Sequence, residues 1–319
     1  MSLNGSQINA VINTKLKMKA IPYMGSKRKL ASEIVNFIRQ RHNKIRNLYD
    51  VFGGGGAISF KALSFFENVH YNEIDTSIVN LIEQLKIGIP EHWYEPVTRD
   101  KFLKEIEKDT AYSGMVKTCW SFGNKKKTYL WGKDIEDDKL LLHELCVKNT
   151  PELIDKAKKQ IGIELPDKLK GVTIQDRRLF LMRIIKSQIL RIESLERFSY
   201  LESLTRLQSL QSLQSLQRLN TTNKDYKDLK FKPNSVIYCD PPYKNTEDYG
   251  VKFNHDEFYE WALNQNNPVY ISEYSAPKDF KLVKQISHRS TLSASNNDKQ
   301  VIENLYWNRK GNPKKTTLF

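Results

Sequence analysis

NLYDVFGGGGAISFKALSFFENVHYNEID, residues 47–75, is the stretch whose reading decides the fold. Residues 47–52 form the apolar run of a buried strand, and Gly53, Gly54, Gly55 and Gly56 break it with a tight turn. Residues 57–66 carry a helical pattern, residues 69–73 read as a second strand, and residues 77–86 read as a second helix. Strand, helix, strand, helix with short turns is the order of a parallel sheet wound with helices on both faces. Such sheets bind ligands beyond the carboxyl ends of their strands, so the glycine turn marks the expected ligand edge.

Without β-carbons, the turn lets backbone approach a ligand closely. Glu73, closing the second strand, can accept hydrogen bonds from both hydroxyls of a ribose, and together these features describe a nucleoside site. The glycine spacing is not GxGxxG, and four consecutive glycines suit a cofactor without a pyrophosphate better than a dinucleotide.

Working outward, the alternation resumes near the far end of the chain. Strands are expected at 235–239, 268–272 and 301–307, with a helix at 255–263. Between the two halves the alternation gives way to charged helical segments such as 151–160 and 176–192. The expected organisation is a catalytic unit from 15–88 and 220–319, with a mainly helical unit inserted at 89–194. In residues 195–219 a Leu-x-x period dominates, interrupted at Phe198, with Leu-Gln-Ser repeated in its second half. Strict three-residue spacing lags an α-helix by about 60° per leucine, so this stretch reads as a low-complexity linker.

Lys and Arg number 51 against 37 Asp and Glu, leaving +14 and favouring a polyanionic partner, nucleic acid before membrane. No run approaches the roughly 20 apolar residues of a membrane helix, and residues 1–13 lack a signal-peptide block, so a cytoplasmic protein is expected. Cys119, Cys146 and Cys239 are far apart and form no CxxC pair, which points to neither a disulfide frame nor a metal site.

Asp240-Pro241-Pro242-Tyr243 follows directly on the strand at 235–239. Two prolines cannot continue a central strand, so the tetrapeptide belongs to the loop at its carboxyl end. It presents a rigid row of acceptors, the Asp240 carboxylate and nearby carbonyls, beside an aromatic ring. An adenine amine is a poor nucleophile because its lone pair is delocalised. Acceptors on both its hydrogens favour a more tetrahedral nitrogen and aim the lone pair at an electrophilic methyl, while Tyr243 can stack on the base.

The chain resembles the Dam-like DNA adenine-N6 methyltransferases, in which cofactor motifs come first, a target-recognition domain second and DPPY last. The resemblance is carried by PYMGSK (22–27), DVFGGGG (50–56), NEID (72–75), NKDY (223–226), DPPY (240–243) and SEY (272–274). It implies a doubly wound, Rossmann-like class I methyltransferase core with a mostly parallel sheet, S-adenosylmethionine as cofactor and double-stranded DNA as partner. A monomer or weak dimer is expected, with a cognate restriction endonuclease as a compatible partner. By resemblance, Tyr23, Gly25 and Lys27 hold the methionine end of the cofactor, and Asp50, Phe52, Gly54 and Gly56 form its cradle. Glu73 binds the ribose, Asp225 and Tyr226 contact the adenine, and Asp240 faces both the cofactor and the target amine. Glu73 stands where aspartate is commoner, and the Leu-Gln-Ser tract departs from the family pattern.

In the middle segment, residues 120–131 interleave cations, amides and aromatics. Lys125, Lys126 and Lys127 suit phosphates, Asn124 a base edge, and an aromatic such as Tyr129 the gap left by a flipped base. Arg177, Arg178, Arg183 and Arg191 are further candidates for phosphate contact. Other acceptors of the same chemistry, cytosine N4 or an RNA amine, remain open alternatives, as does a catalytically silent DNA-binding subunit.

Overall fold

The computed structural model describes residues 20–23, 26–124, 126–188, 207, 214–243, 253–289 and 300–311. The first strand, β1 (Asn47–Asp50), runs parallel to β2 (Asn68–Asn72) on one side and to β4 (Ser235–Cys239) on the other. Outside β2 lies β3 (Leu219–Thr222), and outside β4 lies β5 (Val269–Glu273), both parallel to their neighbours. The C-terminal hairpin β6 (Lys281–Arg289) and β7 (Gln300–Trp307) completes the sheet, with β7 antiparallel between β5 and β6. The order is β3-β2-β1-β4-β5-β7-β6 among the described residues, an α/β doubly wound sheet whose direction of winding reverses between β1 and β4.

Period-two alternation sorts the strand side chains to two faces. Leu48, Val69, Tyr71, Val236, Tyr238 and Tyr270 enter one buried cluster. Tyr49, Val51, Ile237, Cys239, Val269 and Ile271 enter the other. β4 and β5 are buried at every position, as expected of central strands covered on both faces.

Two helices flank the glycine turn: α1 (Ala31–Arg41) and α2 (Ala57–Ala62) lie against each other, and α3 (Thr76–Ile87) follows β2. Asp75 caps α3, its Oδ1 accepting from Ser77 N–H at 3.1 Å, a contact generally worth about 1 kcal/mol. The helices expected at 57–66, 77–86 and 255–263 form as α2, α3 and α9 (His255–Asn264). α2 ends four residues early, its last turn continuing with weaker i to i+3 hydrogen bonds at Ser64 and Phe65.

The middle segment contributes α4 (Arg99–Glu105), α5 (Ala111–Cys119), α6 (Glu136–Lys148), α7 (Pro151–Ile161) and α8 (Ile174–Gln188). α5 packs closely on α3, and Lys117 Nζ donates to Ser77 Oγ at 3.0 Å. One apolar cluster runs without a break from the sheet through Trp93 and Trp120 to Leu142 and Leu181. No described helix is long and apolar enough to cross a membrane. All three cysteines are buried, and none of them forms a disulfide among the described residues. Most of the 195–219 repeat and Arg191 lie outside the described residues.

Candidate functional site

The glycine turn is shaped by what lies under it. Tyr71 donates its hydroxyl hydrogen to Gly54 O at 2.7 Å, and a β-carbon on Gly53 would stand 2.1 Å from the Tyr71 ring. A β-carbon on Gly55 would stand 2.6 Å from Ile21 O, where the incoming chain pairs with the turn through Ile21 N–H to Gly55 O at 2.9 Å. Neither position has room for a β-carbon unless the Tyr71 ring, at Gly53, or the backbone at Ile21, at Gly55, gives way.

Asp50 works from behind this turn. Its Oδ2 accepts from Ser59 N–H at 3.1 Å and from Ser59 Oγ–H at 2.7 Å, so the carboxylate anchors the first turn of α2. Burial pushes its pKa up to about 7, against the pull of the Ser59 hydrogen bonds and with help from the charge of Asp240. Glu73 sits in front. Its Oε2 accepts from Gly54 N–H at 2.8 Å and its Oε1 from Asp75 N–H at 3.1 Å. Burial raises Glu73, while Lys126 and the two backbone donors pull it back.

The NKDY stretch is stitched to the same edge. Asn223 Nδ2 donates to Glu73 O at 2.7 Å and Ile74 O at 2.9 Å, and Asn72 Nδ2 donates to Lys224 O at 2.9 Å. Asp225 is exposed, and its Oδ1 accepts from Lys227 N–H at 2.9 Å. Tyr226 is buried, with its ring centroid 5.6 Å from that of Phe52, in a cluster completed by Phe253, Phe258 and Trp261.

β4 delivers Asp240 beside β1, at the point where the sheet reverses. Pro241 is buried, and the Pro242 carbonyl is held at 2.8 Å by His255 Nε2, the nitrogen that must carry the proton to donate. Asp240 is joined to Lys27 by an ion pair of 2.9 Å, and the same ammonium lies 3.5 Å from Glu303 of β7. Tyr243 bonds Lys27 Nζ through its hydroxyl oxygen and donates to Glu303 Oε1 at 2.9 Å. Its ring lies 4.7 Å from that of Tyr274, of the SEY stretch.

One ammonium thus serves two carboxylates, Glu303 buried and Asp240 half-buried. Burial alone would lower Lys27, but Asp240 and Glu303 outweigh it and hold its pKa above the usual lysine value. Burial raises Asp240 to about 6; Lys27 pulls it back, and the like charge of Glu303 offsets part of that pull. Glu273, at the end of β5, is pushed by burial up to about 7, and its Oε2 has no hydrogen-bond partner among the described residues.

The loop after α5 divides the residues expected to touch DNA. Phe122 and Lys127 are exposed. Tyr129 is corrected: it is 4% exposed, stacked in line with Trp120, and its hydroxyl donates to Val97 O at 2.7 Å, because Trp120, Tyr129 and Trp131 close the core while Phe122 faces out. Lys126 is also drawn inward, bonding Tyr23 and Asp75 instead of projecting to solvent. Arg177 donates to the carbonyls of Cys146, Val147 and Val172, and Arg178 is buried, so both serve packing, while Arg183 is exposed. Asn124 ends a short 3-10 turn, whereas Gly25 and Lys125 lie outside the described residues.

Sequence reasoning missed Glu303, Glu273 and the inward path of Lys126. Glu303 sits in a strand that reads only as alternating apolar residues, and its one signal is an acid at an inward-facing position of that alternation.

A reversed-winding sheet with a glycine turn after β1, an acid after β2 and a proline-stiffened aspartate after β4 defines a Rossmann-like methyltransferase domain. Residues 23–115 match the family model described as D12 class N6 adenine-specific DNA methyltransferase. That match is consistent with the Dam-like resemblance and with an adenine-methylating, DNA-modifying class. The matched stretch contains Tyr23, Lys27, the glycine turn and Glu73, and the DPPY residues lie beyond it. No curated protein matches the chain.

Proposed function

We propose that the protein transfers the methyl group of S-adenosylmethionine to the N6 amine of an adenine flipped out of duplex DNA. The observation that carries this reading is the adjacency of β1 and β4, which sets the glycine turn and the Asp240 loop side by side, with Lys27 reaching Asp240. The fit of the donor is supported by a turn that tolerates no β-carbon at Gly53 or Gly55 and by a buried carboxylate, Glu73, at the strand end beside it. S-adenosylmethionine, when bound, supplies a methyl group on an electron-poor sulfonium.

In this reading Gly54 and Gly56 bring backbone to the donor, Glu73 accepts from ribose hydroxyls, and Phe52, Asp225 and Tyr226 wall the adenine. Tyr23 and Lys27 bind the methionine end. Asp240 accepts a hydrogen from the target amine and the neighbouring proline carbonyls supply a second acceptor, so the nitrogen lone pair is directed for in-line attack. No strong base is required, because the amine proton becomes acidic only after the methyl arrives. Tyr243, paired with Tyr274, supplies an aromatic face for the extruded base. Asp240 must be ionised to accept, so activity falls as pH drops through its raised pKa.

The segments 15–88 and 220–319 form the catalytic unit, and 89–194 reads the DNA. Phe122, at 63% exposure, replaces Tyr129 as the ring that fills the vacated stack, beside Asn124, Lys125 and Lys127. The reading implies a cytoplasmic enzyme acting as a monomer or weak dimer, whose product would protect DNA from a cognate restriction endonuclease. Expression in a methylation-free host, followed by modification-sensitive sequencing and nucleoside analysis, tests it. N6-methyladenine at a defined sequence is expected; N4-methylcytosine alone, or unmodified DNA, overturns the reading.

A further inference from the structure

The loop between α5 and α6 reaches Tyr23 and Asp75, beside the glycine turn, through the side chain of Lys126. Ser121 and Tyr129 pair in an antiparallel bridge, and Phe122 N–H donates to Thr128 O at 2.8 Å, so residues 121–129 close on themselves. Within that closed loop Lys126 N–H donates to Ser121 Oγ at 3.2 Å, and its φ of 66° lies in the left-handed region. A non-glycine residue stays there only when its surroundings hold it, a cost found most often at functional positions.

The Lys126 side chain reaches the cradle. Nζ donates to Tyr23 Oη at 2.9 Å and to Asp75 Oδ2 at 2.9 Å, and lies 4.3 Å from the centre of the Tyr23 ring. Both partners are built into the donor site. The Tyr23 ring lies against Gly54, close enough that a β-carbon there would stand 3.1 Å from it. Asp75 donates its N–H to Glu73, which in turn accepts from Gly54 N–H. The charge at Asp75 is strongly held: burial opposes ionisation, yet Lys126 and the Ser77 hydrogen bond bring its pKa down to about 2.

We propose that Lys126 is a positioning residue that couples the two substrates, holding Tyr23 and Asp75 around the methyl-donor cradle from within the loop that meets DNA. The inference rests on the reading of the cradle as the S-adenosylmethionine site. The exposed neighbours Phe122 and Lys127 share the closed loop, so contact with a duplex fixes the backbone from which Lys126 reaches. Two contacts at 2.9 Å do not survive a loop shift of more than about half an ångström without weakening. Donor and DNA therefore each favour the loop position that the other requires, and by linkage the effect is reciprocal.

The test uses the full chain, S-adenosylhomocysteine as an unreactive donor analogue, and a duplex carrying the methylated sequence identified by sequencing. Calorimetry gives the analogue Kd with and without duplex. The wild type is expected to bind the analogue ~5-fold or more tightly with DNA present. Lys126→Met, which keeps the stem and drops the charge, should weaken analogue binding ~10-fold and erase the DNA dependence. Lys126→Arg should restore most of both, and Lys127→Ala should weaken DNA binding while leaving donor affinity in the absence of DNA unchanged. Wild-type donor affinity in Lys126→Met, or a DNA dependence that survives the substitution, overturns the proposal. So does a loss of DNA affinity alone, which would make Lys126 a phosphate contact. A wild type that binds no analogue overturns the donor-site reading itself, and the coupling with it.

Discussion

Replacing Glu303 by glutamine removes one carboxylate from the buried cluster and keeps its shape. Glu303 and Asp240 both contact Lys27 Nζ, at 3.5 and 2.9 Å, so their oxygens are no farther apart than ~6.4 Å. At an effective dielectric constant of about 20, two like charges at that separation repel by ~2.5 kcal/mol, which corresponds to nearly two pH units in the titration of Asp240. Asp240 retains 20% side-chain exposure, and solvent there trims the effect to ~1–2 pH units. The sign is fixed: Glu303 raises Asp240, so its loss lowers Asp240 and leaves Lys27 with a single carboxylate partner, which lowers Asp240 further. The acid limb of kcat/KM for methyl transfer, followed across a pH series with duplex substrate, should move to lower pH by ~1 unit or more. In Glu303→Gln the amide oxygen can still accept from Tyr243, so the ring should stay in place. An acid limb that stays put, or moves to higher pH, in a folded variant would refute the shared-cation account of the cluster.

Asp240→Ala should abolish methyl transfer while leaving DNA affinity within about twofold, since it removes the amine acceptor and no described DNA-facing group; unchanged turnover would remove Asp240 from the mechanism. Gly55→Ala must displace either the turn or the strand-like segment at Ile21, at a cost of roughly 1–3 kcal/mol, and should lower both the unfolding midpoint and donor affinity. Asp50 has a folded pKa raised to about 7, so the folded state binds the extra proton and this group's contribution to stability is lost as pH rises from the ordinary carboxylate range through about 7. Asp50→Asn should flatten that segment of the pH–stability curve by a few kcal/mol at most, about 1.4 kcal/mol for each pH unit between the ordinary and the raised value. Denaturant unfolding at several pH values reads this directly, and an unaltered slope would count against it.

The elements around the two motifs were legible because they are short and locally specified. The Asn47–Asp50 strand, the glycine turn and the Ser235–Cys239 strand are written in an apolar run, a loss of β-carbons and a pair of prolines, each acting on its own neighbours. β3 was not legible. Leu219–Thr222 is mostly polar and becomes a strand only because β2 offers an open edge for it to pair with. β6 carries lysines and a register shift between Leu282 and Lys284, which blur its alternation, and it too is defined by its partner.

By itself the sequence determined the reaction class and the places where its parts would stand: a nucleoside cradle after the first strand, an acceptor row after the strand at 235–239 and an excess of positive charge for a polyanion. These follow from backbone freedom, backbone rigidity and the kinds of atoms present, which neighbouring residues decide between them. Only the tertiary structure brought Glu303 to Lys27 from 276 positions away, turned Tyr129 into the core and drew Lys126 to Tyr23. Pairing between distant charges and the burial of one aromatic over another depend on the packing of the sheet and the α3–α5 contact. No local pattern encodes that packing.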